Sequence, residues 1–130
     1  MRKTIFIAIA ALAGAMLVVA PAALAGNDRD REVIRTGKCS AGSTWKLKAK
    51  LDDGRIETEF EVDQNRVGRR WRVNLRQNGN LVFSGIRRTL APSGSFEARK
   101  LLANQAGADR IVGSARALAG GETCRGALSY

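Results

Sequence analysis

Histidine is absent from this chain of 130 residues. Imidazole-based triads, imidazole metal ligands and the one side chain that ordinarily titrates near neutrality are therefore excluded. Cysteine is scarce, and its two copies are too few for a zinc or iron–sulfur site without other soft ligands. Aromatic residues make up only 5% and proline occurs twice. No Walker loop, dinucleotide glycine fingerprint or Gly-x-Ser-x-Gly elbow is present. Hence neither a cofactor nor a metal is expected, and no catalytic residues are assigned. The length permits one small domain.

What the chain does have begins with an address. Arg2 and Lys3 precede an apolar stretch, Ile5 to Val19, and Ala23-Leu24-Ala25 follows Pro21. This is the pattern of a secretory signal peptide cleaved after Ala25. The stretch is shorter than the roughly 20 residues needed to span a bilayer, so no transmembrane anchor is expected after cleavage. Removal of residues 1–25 also takes Arg2 and Lys3, and the charge falls from +10 to +8. Residues 26–31 read as a loose N-terminal tail and 32–130 as the domain.

Export changes the meaning of Cys39 and Cys124. In an oxidising compartment the two are expected to form one structural disulfide. A redox pair would more commonly use Cys-x-x-Cys spacing.

From residue 44 onward the chain alternates with period two. Trp45, Leu47, Ala49 and Leu51 alternate with lysines; Ile56, Thr58, Phe60 and Val62 alternate with acids. Asp53-Gly54 between them suits a two-residue type I′ turn. That turn places Leu51 opposite Ile56, Leu47 opposite Phe60, and Lys50, Lys48 and Lys46 opposite Glu57, Glu59 and Glu61. These carboxylates thus read as a solvated ladder that sets register.

A second hairpin turns at Asn78-Gly79. A type I′ turn would place Val82 opposite Leu75. A type I turn with a bulge at Gly79 brings Leu81 and Phe83 onto the face of Leu75 and Val73, the register favoured by matching apolar with apolar. Further strands are expected at Val33–Lys38, Ser95–Leu101, Arg110–Leu118 and Thr123–Ser129, with room for one helical turn in Lys100–Ala108. Seven or eight short strands at this spacing predict an all-β fold, a single antiparallel β-sandwich. Trp45 and Trp71 fall in the apolar phase and are expected in the core.

The order of features, carried by Lys38-Cys39-Ser40, Thr44-Trp45-Lys46-Leu47-Lys48, Ala115-Arg116-Ala117-Leu118 and Gly121-Glu122-Thr123-Cys124, resembles immunoglobulin-like β-sandwiches. More closely it resembles small secreted proteins of high-GC Gram-positive bacteria. In antibody domains two cysteines bridge facing sheets around a buried Trp; here Cys39 lies at the first strand and Cys124 at the last, a bridge between terminal strands. The resemblance implies a fold and a compartment and carries no activity.

Among chemical motifs, Ser43-Thr44-Trp45-Lys46 spells Ser-x-x-Lys, but the alternation points Lys46 out of a strand and the companion motifs are missing. Asp109 and Glu122 are isolated acids that only the fold could pair. Charge distribution is the stronger signal. Residues 44–63 hold four basic and six acidic side chains, whereas 64–88 hold Arg66, Arg69, Arg70, Arg72, Arg76, Arg87 and Arg88 and no acid. Guanidinium forks suit phosphate and carboxylate, and a stripe of one sign attracts polyanions. The expectation is a secreted, non-enzymatic binding module. Arg69, Arg70, Arg72, Arg76, Arg87 and Arg88 are its candidate surface for a cell-wall phosphate polymer, an acidic glycan or anionic lipid headgroups. Nucleic acid is not the expected partner, because the stripe lacks aromatics for base stacking. An accessory envelope protein without a dedicated ligand, or a carboxylate-based hydrolase, are the alternatives.

Overall fold

The structure is a computed structural model that describes residues 31–130. The expected signal peptide and residues 26–30 of the expected tail lie outside the described residues. Arg31 is held in place: Tyr130 Oη donates to its carbonyl at 3.0 Å, and its guanidinium sits 5.0 Å from the Tyr130 ring centroid.

Alternating apolar residues build eight strands: β1 (Glu32–Lys38), β2 (Thr44–Asp52), β3 (Arg55–Asp63), β4 (Arg70–Gln77), β5 (Asn80–Arg88), β6 (Ser95–Ala103), β7 (Arg110–Ala117) and β8 (Thr123–Ser129). They form two antiparallel four-stranded sheets, ordered β1-β2-β3-β6 and β5-β4-β7-β8. The chain completes β1 to β3 as a meander, crosses to the second sheet for β4 and β5, returns for β6 and crosses again for β7 and β8. The result is a sandwich in which β1 lies against β8 and β6 against β5.

The first hairpin has the expected register, from Thr44 opposite Asp63 to Leu51 opposite Ile56. Its turn residues Asp53 and Gly54 both take positive φ, 49° and 76°, as a type I′ turn requires. At the second hairpin Asn78 and Gly79 also take positive φ, 50° and 83°, so the turn is type I′ and not the expected type I. The irregularity falls in β5, where Leu75 pairs with Phe83 but Arg76 pairs with Leu81. Phe83 therefore reaches the face of Leu75 as expected, while Leu81 stands on the opposite side and is exposed. The physical reason is twist: a type I′ turn matches the strands, which moves the extra residue out of the turn and into an edge strand. The stretch expected to offer a helical turn is instead strand up to Ala103 and irregular to Asp109, because Lys100 and Leu102 continue the ladder to Thr58 and Ile56.

Between the sheets Leu47, Ile56, Phe60 and Val62 pack against Trp71, Val73, Leu75 and Ile111, all fully buried. Trp71 Nε1 donates to Gln64 Oε1 at 3.0 Å, which satisfies its one polar atom. Trp45 is half-buried at the β1–β8 edge. A Cβ at Gly37 would stand 2.6 Å from its indole, and one at Gly126 would overlap it too, so both positions exclude a side chain for steric reasons.

Cys39 and Cys124, 85 positions apart in sequence, form a disulfide with Cα atoms 4.4 Å apart. It joins the end of β1 to β8, the terminal strands, and because these belong to different sheets it also ties the two layers together. Constraining a loop of that length in the unfolded chain stabilises by up to about 4.5 kcal/mol in the entropy model. Among the described residues no helix is long and apolar enough to cross a membrane.

Candidate functional site

Strand alternation gives each sheet a solvent side, and the two solvent sides differ in charge. On the first sheet, the ladder pairs put six basic residues (Lys38, Lys46, Lys48, Lys50, Arg55, Arg99) among seven acidic ones (Glu32, Asp52, Glu57, Glu59, Glu61, Asp63, Glu97). Its centre is Glu59, which is nearly buried. Lys48 Nζ lies 2.9 Å from one carboxylate oxygen, and Arg99 from neighbouring β6 pairs with the other. Burial works against the charge of Glu59, but the hydrogen bond from Lys48 and the charges of Lys48 and Arg99 outweigh it and hold the carboxyl below its ordinary value. The same hydrogen bond raises Lys48 above its usual value in spite of burial. Charges here are spent on one another.

The second sheet presents the opposite case. Its ladder places Arg70 opposite Arg88, Arg72 opposite both Ile86 and Arg116, and Asn74 opposite Ser84 and Ser114. Ser114 in turn faces Arg125, and Arg110 faces Ser129. The solvent side therefore carries Arg70, Arg72, Arg76, Arg88, Arg110, Arg116 and Arg125, all exposed, with Ser, Thr, Asn and a few aliphatic side chains between them and no Asp or Glu. Among the described residues no carboxylate comes within ion-pair distance of any of these seven.

Of the arginines singled out in the sequence, the structure brings Arg70, Arg72, Arg76 and Arg88 onto this face. Arg87 is not among them. It pairs with Trp71 and so belongs to the inward phase; at the sheet edge its guanidinium lies over the Phe83 ring at 4.8 Å and donates to the Ile86 carbonyl. Arg69 precedes β4 and lines a small depression at the end of the sandwich together with Arg66 and Arg70. The sequence reading missed Arg110, Arg116 and Arg125. Their period-two phase in β7 and β8 marks them as outward, but nothing local says that β7 lies beside β4.

The two isolated acids do not meet. Asp109 precedes β7 and Glu122 follows it, so they sit at opposite ends of the sandwich. Asp109, fully buried, accepts hydrogen bonds from Gln77 Nε2, Asn78 Nδ2 and the Gln105 amide at 2.9–3.0 Å. Glu122 accepts from the amides of Ala41 and Ser43 and from Ser43 Oγ at 2.5 Å. Each carboxylate fastens a loop to a hairpin. Ser43 is buried on Glu122, while Lys46 stands on the first sheet's solvent side opposite Glu61, so the Ser-x-x-Lys residues do not face one another. No group of three potential metal-ligating side chains exists among the described residues.

Comparison with protein-family models, curated proteins and solved structures finds no match to the chain.

Proposed function

We propose that the protein is a secreted, non-enzymatic binding module that holds a linear anionic polymer on the β5-β4-β7-β8 face. The observation that carries this reading is the concentration, among the described residues, of seven arginines without an ion-pair partner and with no acid on their side of one sheet, in a molecule whose other sheet balances its charges. Solubility alone asks for charge but not for this segregation, since mixed signs solvate a surface as well.

The arrangement suits an extended ligand. Strands lie about 4.8 Å apart and same-side residues about 6.8 Å apart along a strand. By the register, Arg88, Arg70, Arg72, Arg116 and Arg125 then step diagonally across the sheet over roughly 20 Å. A polymer carrying phosphate, sulfate or carboxylate groups at comparable spacing can meet them in succession through guanidinium forks. The rest of this side is Asn74, Ser84, Ser114 and Thr123 with aliphatic side chains such as Leu81 and Ile86 and, among the described residues, no aromatic ring, which disfavours base stacking and hence single-stranded nucleic acid. The N-terminal address and the disulfide support an extracellular site of action.

Retention on isolated cell walls, followed across a salt gradient, tests the reading. The wild-type protein is expected to elute sharply with salt, and the triple variant R72Q/R116Q/R125Q to lose most retention while keeping its fold by circular dichroism. Equal retention of the two proteins refutes it.

A further inference from the structure

The end of the sandwich that carries the 39–43, 64–69, 89–94 and 118–122 connections differs from the other. The opposite end holds Asp52, Asp53 and Asp109; at this end the acids are Asp63 and Glu122, while the segments 64–69, 89–94 and 118–121 carry Arg66 and Arg69 and no acid. Arg66, Arg69 and Arg70 line a depression of about 110 Å³ with Gln64, Ala117 and Ala119. That volume accommodates a phosphate-sized group, and the depression shares Gln64, Arg66 and Ala119 with a wider one of about 410 Å³.

The depression is built on a fixed frame. Thr89, fully buried, donates its hydroxyl to the Arg66 carbonyl at 2.5 Å and accepts from the Arg69 amide at 2.9 Å. Its own backbone closes two further bonds, Gly68 N to Thr89 O and Thr89 N to Arg69 O, each 2.8 Å. Gln64 Oε1 is taken by Trp71, which leaves its amide NH₂ as a donor. Two carboxylates stand at this end: Glu122, which accepts from Ala41 and Ser43, and Asp63, which accepts from the Asn65 amide; among the described residues neither forms an ion pair with Arg66, Arg69 or Arg70.

Around this cationic notch stand the two most exposed large apolar side chains of the described protein, Leu90 at 60% and Val67 at 56%, with Leu118 at 49%. They come from three different loops, and Ala91 and Pro92 extend the exposed apolar tip beside Leu90. The loops are adjacent, since Gly68 bonds Thr89 and Leu118 N donates to the Arg70 carbonyl. A bilayer surface offers phosphate and hydrocarbon together, which a cationic notch ringed by three projecting aliphatic groups engages at once.

We propose that this end of the sandwich is a contact for an anionic lipid surface, with a lipid phosphate in the Arg66–Arg69–Arg70 notch and Val67, Leu90 and Leu118 in the interfacial layer. The proposal goes beyond the polymer-binding face, with which it shares only Arg70, and does not depend on it. Co-sedimentation with vesicles of phosphatidylcholine alone and of phosphatidylcholine with phosphatidylglycerol tests it. Binding is expected on the second and not on the first. Each cation near such a surface is worth about fivefold in partitioning, so R66Q/R69Q is expected to bind about thirtyfold more weakly. V67S/L90S keeps every charge and is expected to weaken binding at least tenfold by removing buried apolar area. A V67W variant is expected to shift its emission to the blue on the anionic vesicles. Equal binding to both vesicle types overturns the proposal. So does loss of binding in R66Q/R69Q with none in V67S/L90S, which would make the notch a site for free phosphate or a polyanion. Cell-wall retention of R66Q/R69Q and V67S/L90S reports the polymer face separately, because both variants leave Arg72, Arg116 and Arg125 intact.

Discussion

Arg72 on β4 stands directly opposite Arg116 on β7, on the solvent side of the ladder, and among the described residues no carboxylate lies within ion-pair distance of either. Like charges directly opposite destabilise a sheet by several tenths of a kcal/mol. An anion seated between the two guanidinium groups would relieve that cost. Thermal unfolding in low salt is therefore expected to show R116Q slightly more stable than wild type, by about 0.5 kcal/mol. Added salt is expected to raise the wild-type midpoint more than that of R116Q. A less stable R116Q, or identical salt responses, would show that the pair is not repulsive.

Glu59 gives the opposite behaviour and an acid-side signature. Its folded carboxyl lies below the ordinary value of 4.5 through Lys48 and Arg99, so its contribution is complete above that pH and disappears as pH falls through the folded value. Denaturant unfolding at a series of pH values is expected to show wild-type stability declining below pH 4.5, with E59Q flatter over that window. Near neutrality E59Q is expected to be less stable by about 1–2 kcal/mol, less than a fully buried pair would lose because Arg99 remains largely in water. Parallel pH profiles for the two proteins would remove Glu59 from the account.

Asp109 tests a different kind of anchor. Three donors from the β4–β5 turn and the β6–β7 connection converge on it. D109A removes one acceptor shared by three donors; Gln77 is buried while Asn78 and Gln105 are exposed and can turn to water, so the cost is about 1 kcal/mol for each bond lost. The expected loss is about 3 kcal/mol in chemical denaturation, with faster amide hydrogen exchange at Asn78 and Gln105 and unchanged polymer retention. A loss of retention would mean that this end of the molecule contributes to the binding face.

The first hairpin was legible in the sequence down to its register. Asp53-Gly54 can close only a short range of turns, and once Leu51 meets Ile56 every later pair, including Lys48 with Glu59, follows by counting. The second hairpin was legible only in part. Asn78-Gly79 announces the turn, but the bulge that brings Phe83 opposite Leu75 falls at Val82 in β5, where no residue type marks it. Arg99 shows the same limit. Its membership in the Glu59 cluster depends on β6 pairing with β3, across more than thirty intervening residues.

The sequence by itself determined which residues point outward within each strand, where the turns fall and that Cys39 has one possible partner, because these rest on local steric rules and on arithmetic. Only the tertiary structure decided which outward residues share a surface. Alternation assigns a phase to a strand but not a neighbour, and neighbours are chosen by long-range pairing and by the burial of Phe60, Trp71 and Ile111 between the sheets. That choice sets β7 and β8 beside β4, which gathers Arg110, Arg116 and Arg125 onto the face of Arg70 and Arg72. It also turns Arg87 away from that face.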